Sequence, residues 1–106
     1  MQPCVYIMTN RRCGTLYVGS TSDIVRRVWE HRHAEVASFT KRYGIRLLVY
    51  LEYYELLLEA RRREALIKRW QRPWKIRLIE SFNPQWCDLS AELPGPPQKT
   101  IPSSGI

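Results

Sequence analysis

The sequence predicts a small α+β domain, a three-stranded sheet flanked by helices in the order β-β-α-β-α-α. Three observations predict it. Apolar residues alternate with a period of two over residues 4–8 and 15–18, the mark of half-buried strands. Beyond Gly19 the apolar residues recur at helical spacing. Between two such helical stretches, Leu47 to Leu51 is an apolar run of strand length. At 106 residues the chain can build one modest core but not two.

In the first stretch Val5 and Ile7 alternate with Cys4, Tyr6 and Met8. Asn10 to Gly14 supplies turn residues, and Leu16 and Val18 then alternate with Thr15 and Tyr17. Residues 1 to about 20 therefore read as a hairpin. Tyr6 and Tyr17 each lie on the side of their strand opposite the aliphatic pair. A register that matches those sides points both phenols into one space.

Ser20, Thr21, Ser22 and Asp23 offer acceptors for the free amides of a helix placed at residues 23–34. Ile24, Val25, Val28 and Trp29 form its apolar stripe, and Arg27 and His31 stack along one edge of that stripe. Residues 35–46 read as a loop carrying Phe39, Lys41, Arg42, Tyr43, Gly44 and Arg46. Lys41, Arg42 and Tyr43 interleave charge with an aromatic, a combination that can grip a sugar-phosphate backbone. An ordinary surface loop with its aromatics tucked into the core fits the same residues. Arg46 to Tyr54 holds the third strand, and Leu57 to Trp70 the second helix. Pro73 suits a fresh first turn, and Trp74, Ile76, Leu78 and Ile79 carry a third helix to Ser81, ended by Asn83 and Pro84. Residues 1–90 form the expected domain and residues 91–106 a disordered tail. From Pro94 onward there are four prolines, two glycines and two serines in thirteen residues.

Charge narrows the function. Seventeen Lys and Arg against ten Asp and Glu give +7, which favours a polyanion, nucleic acid before an acidic membrane surface. Thirteen of those cations are arginine, whose planar fork matches phosphate oxygens. Cys4, Cys13 and Cys87 have no paired spacing, so neither a disulfide framework nor a cysteine zinc site is expected. No signal peptide is expected at the N-terminus, and Leu47–Leu51 is too short to span a bilayer.

Glu64 is the most informative acid. Leu56, Leu57, Ala60 and Ile67 share one arc of the second helix, and Glu64 projects inside it. Burying a lone carboxylate is costly, so a partner is expected: a structural arginine, or a divalent cation completed by water. Mg²⁺ tolerates such sparse protein ligation. Arg27 and His31 suit either a solvated face or a site. Directed at the sheet edge, the arginine could steady a phosphate and the imidazole move a proton. Tyrosine also simply packs in strands, and a phenol of pKa about 10 is about 0.1% ionised at neutral pH. A nearby cation is needed to make it a base.

Together these blocks resemble the GIY-YIG nuclease family, in particular its small stand-alone members. Cys4-Val5-Tyr6 stands at the first signature tripeptide and Tyr17-Val18-Gly19 at the second. Arg27 matches the family arginine, His31 the histidine of many members, and Glu64 the metal-binding glutamate. Cys4 replaces the leading glycine, and valine replaces both isoleucines. Ser38–Tyr43 and Asn83–Leu89 also resemble the stand-alone subgroup. The resemblance implies an endonuclease that uses Mg²⁺ (or Mn²⁺) to hydrolyse DNA phosphodiester bonds in the cytoplasm. Tyr6 would activate water, Arg27 steady the phosphate, Glu64 hold the metal, and Tyr17 and His31 assist. Asn83 follows Glu64 at a longer spacing than the family asparagine and is expected only to stop a helix. With no second domain to choose DNA, the chain is expected to read DNA shape, or to rely on a protein partner for target selection. A non-cleaving nucleic-acid binder and a protein-interaction module are the competing readings.

Overall fold

The computed structural model describes residues 2–33 and 42–93. Strand β1 (Cys4–Thr9) is central, flanked by β2 (Leu16–Thr21) and β3 (Leu47–Tyr53), both antiparallel to it. Every residue of β1 is buried, because both faces of the sheet are covered. Helix α1 (Ile24–Arg32) covers one face, where Ile24 and Val28 pack on Cys4, Tyr6 and Met8. Helices α2 (Leu57–Lys68) and α3 (Arg72–Phe82) cover the other, where Ala60, Ile67 and Ile79 pack with Val5, Ile7 and Val18. The expected element order and α+β class are what the chain adopts.

The two-residue alternation of β1 creates this division. Odd positions feed one core and even positions the other. In β3 the division is kept by a bulge: Ile7 pairs with Tyr50 and Met8 with Leu48, leaving Val49 as the extra residue. Val49 and Tyr50 consequently both join the α2–α3 core. An unbroken apolar run such as 47–51 hides this phase shift.

Asp23 caps α1, its carboxylate accepting from the Arg26 amide at 3.1 Å. Ser20 and Thr21, expected to share that task, belong to β2 instead. The far end of α1 is tied down by Arg32, which donates to Asp88, Ser90 and the Arg46 carbonyl. The helix closes at Arg32, short of residue 34, which lies outside the described residues together with Phe39 and Lys41. Helix α2 stops at Lys68, not Trp70, and α3 runs from Arg72 to Phe82. Leu56, assigned to the buried arc of α2, is 60% exposed because it is the residue before the first turn. A single 3₁₀ turn, Leu89–Glu92, was invisible in the periodicity; Asp88 caps it. Leu89 and Leu93 pack against the α1 core, so residues 91–93, expected to begin the tail, are ordered in this turn, and the rest of the expected tail, from Pro94, lies outside the described residues.

Asn83 ends α3 as expected and does more. Its buried amide donates to the carbonyls of Val49 and Cys87 and accepts from the Cys87 amide. It thereby satisfies the bulge carbonyl of β3. Replacing Asn83 by Ala leaves these groups unpaired and is expected to lower stability by about 2–3 kcal/mol, read from the urea midpoint at constant m-value. A loss below about 0.5 kcal/mol would mean water replaces the amide without penalty.

Candidate functional site

Tyr6 and Gly19 face each other across the β1–β2 ladder, and Met8 faces Tyr17. The phenol of Tyr6 lies flat against Gly19. A Cβ on Gly19 would stand 2.5 Å from the Tyr6 hydroxyl and 2.6 Å from Cζ, well inside contact distance. Glycine is thus needed for close approach, not for an unusual backbone angle. Packed there, the Tyr6 ring carries its hydroxyl to 3.1 Å from His31 Nε2. Tyr17 completes the cluster, its ring centroid 4.9 Å from His31 and 6.2 Å from Tyr6. The sequence expectation that both phenols share one space therefore holds, and His31 shares it.

Burial controls the electrostatics. His31 is 3% exposed, and burial lowers its pKa from 6.5 to about 4, with the Arg27 charge lowering it further and Glu30 opposing. Its ring is therefore neutral near pH 7. Burial likewise raises the Tyr6 phenol well above its ordinary range; Tyr17 adds to the rise, Arg27 opposes it, and Glu64 adds a further increment. Arg27 and Glu64 both act on Tyr6, so all five sequence-selected residues belong to one electrostatic neighbourhood. Arg27 also pairs with Glu30 at 3.3 Å and keeps about a third of its side chain in water.

Glu64 arrives from the opposite side of the sheet. Helix α2 packs chiefly on β2 and β1, and its Glu64 receives the Ser20 hydroxyl on Oε1. Lys68 Nζ stands 2.6 Å from Oε2. In place of the structural arginine weighed from the sequence, a lysine one turn along the same helix and a strand serine contact the carboxylate. The spacing of Lys68 at i+4 was readable in the sequence. The role of Ser20 was masked by its place in a run of cap-like residues. Arg42 and Tyr43 lie on a different segment, the exposed turn entering β3, with the Arg42 guanidinium 5.7 Å from the Tyr43 ring centroid. Lys41 lies outside the described residues.

A family model described as the GIY-YIG catalytic domain matches residues 2–77, a span that takes in all five residues. The chain belongs to the GIY-YIG family. Among its relatives, UPF0213 proteins of Staphylococcus aureus strains Mu3 and Mu50 are each 42% identical over 67 residues, covering 63% of this chain and 82% of theirs. The solution NMR structure of a UPF0213 protein from Bacillus halodurans aligns with a TM-score of 0.52 at 29% identity, covering 81% of this chain and 90% of that one. Within this GIY-YIG domain Cys4, at the place of the leading glycine, is fully buried, and burial pushes its thiol up to about 12. It acts as a small apolar filler, and Val5 and Val18 fill the α2–α3 core as β-branched strand residues.

The donor set bears on what metal the site fits. Among the described residues no three His, Cys, Asp or Glu side chains cluster. Glu64 alone, with a hydroxyl on one oxygen and a cation against the other, suits a hard ion that keeps most of its waters, such as Mg²⁺. It does not suit zinc, which asks for three or four protein ligands.

Two outcomes are expected from this geometry. Gly19→Ala drives a methyl into the buried Tyr6 ring and is expected to cost about 2 kcal/mol, measured by denaturant unfolding; a neutral effect would place the phenol elsewhere. For His31 the folded pKa lies below the unfolded one, so its contribution is complete above pH 6.5 and is lost as pH falls toward 4. Over that window wild type is expected to lose on the order of 3 kcal/mol relative to His31→Gln, compared by urea unfolding at each pH. Parallel pH profiles of the two proteins would contradict a neutral buried ring.

Proposed function

We propose that this chain is a divalent-metal-dependent endonuclease that hydrolyses DNA phosphodiester bonds, in the cytoplasm, choosing DNA by structure more than by sequence. The observation that carries the reading is the meeting of Tyr6, Tyr17 and His31 around Gly19, with Arg27 and Glu64 acting on the same phenol. Free Cys4, Cys13 and Cys87 accord with a reducing compartment. Charges on the outer flank of α2, Arg61, Arg62, Lys68 and Arg69, are exposed and would meet phosphates, which position DNA without reading bases.

The raised phenol of Tyr6 argues against a standing phenolate. The hydrogen bond to His31 supplies an alternative. Tyr6 accepts a proton from the attacking water while passing its own to Nε2 of the neutral imidazole, so the charge that forms is an imidazolium on His31, balanced by the negative phosphate, and not a phenolate. Arg27, beside both groups, offsets the negative charge that builds on the phosphate oxygens. Tyr17 walls the cluster and holds the His31 ring edge-on. Glu64 would hold the metal, Mg²⁺ or Mn²⁺, through Oε2, with Ser20 fixing the rotation of the carboxylate from Oε1. When bound there, such an ion contributes phosphate polarisation and a more acidic water.

A second reading is a DNA-binding scaffold that does not cut, and one observation favours it: both oxygens of Glu64 already have partners. Incubation with branched, nicked and linear DNA in Mg²⁺ or Mn²⁺ separates the two. The enzyme reading expects products that need the metal, and a rate lower by about 10²-fold or more in Glu64→Gln and in Tyr6→Phe. Binding without products on every substrate supports the scaffold instead, and cleavage that survives Glu64→Gln removes the assigned metal ligand. If no DNA structure is preferred, target selection falls to a protein partner.

A further inference from the structure

The ion pair on Glu64 has an uneven setting. The Glu64 side chain is 19% exposed, whereas Lys68 is 52% exposed and reaches in from solvent to within 2.6 Å of Oε2. Turning 100° per residue along α2, Lys68 and Arg61 lie about 40° and 60° from Glu64 on the solvent side. The buried Ala60 and Ile67 lie on the other side. The rim beside the carboxylate is therefore basic, and one of its cations is docked on the acid itself.

We propose that Lys68 is a DNA-phosphate ligand parked on the metal-binding carboxylate: in the free protein it neutralises Glu64, and when a divalent cation takes Oε2 it turns outward to a phosphate next to the scissile one. This rests on the nuclease reading above and extends it. Two cations cannot both sit against one carboxylate oxygen without mutual repulsion, so metal entry releases the ammonium. Lysine suits the exchange, since its flexible stem and point charge allow either partner, where a bidentate arginine would resist. Without Lys68 the bare carboxylate would repel incoming phosphate. The consequence is reciprocal coupling: metal raises DNA affinity and DNA raises metal affinity through one side chain.

The test uses the full chain as wild type, Lys68→Met, Lys68→Arg and Glu64→Gln, with folding checked by circular dichroism and thermal melting. Mn²⁺ affinity without DNA is read by electron paramagnetic resonance. Nicked-duplex affinity is read by stopped-flow anisotropy before any cleavage, with and without Mn²⁺, over a range of NaCl. Lys68→Met is expected to bind Mn²⁺ roughly two- to tenfold tighter than wild type, since it removes a partly exposed competitor. Lys68→Arg, which keeps a competing cation, is expected to stay near wild type. With Mn²⁺ present, Lys68→Met is expected to bind DNA more weakly, its salt slope shallower by about one unit. Unchanged or weaker Mn²⁺ binding by Lys68→Met overturns the proposal, as does an unchanged salt slope. If Glu64→Gln abolishes Mn²⁺ binding in those cases, the metal site stands and Lys68 alone is wrong. If Glu64→Gln binds Mn²⁺ as wild type does, the metal site itself is wrong and the proposal goes with it.

Discussion

The hydrogen bond between the Tyr6 hydroxyl and His31, made while the Tyr6 ring packs on the bare Cα of Gly19, is the contact on which the site depends. It joins three elements that the sequence separates: the central strand, its hairpin partner and the first helix. Its geometry has little slack, because both side chains are almost fully enclosed and one more carbon on β2 would occupy the same volume. Register is thereby linked to chemistry. A one-residue slip of β2 would turn Gly19 away from the phenol and reverse every side chain of the strand.

Enclosure gives the cluster its protonation state as well as its shape. Burial disfavours charge on either partner, so imidazole and phenol are both held neutral in spite of a strongly basic chain. A neutral pair can transfer a proton in concert with attack on a phosphate, whereas an ionised one would first have to be made. Among the described residues, the charged groups acting on the phenol, Arg27 and Glu64, reach it from more exposed positions. The acid and the imidazole come from opposite faces of the sheet: α1 carries His31 on one face, and α2 carries Glu64 on the other, against Ser20 of β2.

Much of this was legible in the residues. Alternation in β1 and β2 placed both tyrosines on one face, and helical spacing put Arg27 and His31 on one edge of α1. Those signals are local, which is why they survive in a single sequence. The misplaced features depend on tertiary contacts. The bulge at Val49 lies in a run that is apolar on both sides, so no pattern marks it, and its carbonyl is satisfied by Asn83 from 34 residues away. Ser20 looked like a cap because hydroxyls serve caps and carboxylates equally; only the packing of α2 on β2 decides. Glu64 was singled out as an acid among apolar neighbours, with an arginine or a cation expected beside it, while a lysine stood one turn away on the same helix.

The most direct measurement of the central contact is the ring ¹⁵N chemical shift of His31 followed by NMR from pH 8 to pH 3.5 in the metal-free protein. A neutral ring throughout the physiological range, with a midpoint near the value of about 4 set by burial, is the predicted result. A midpoint at or above 6.5, the ordinary value for an exposed imidazole, would show a solvated ring with no enclosed bond to Tyr6, contradicting the account at its base.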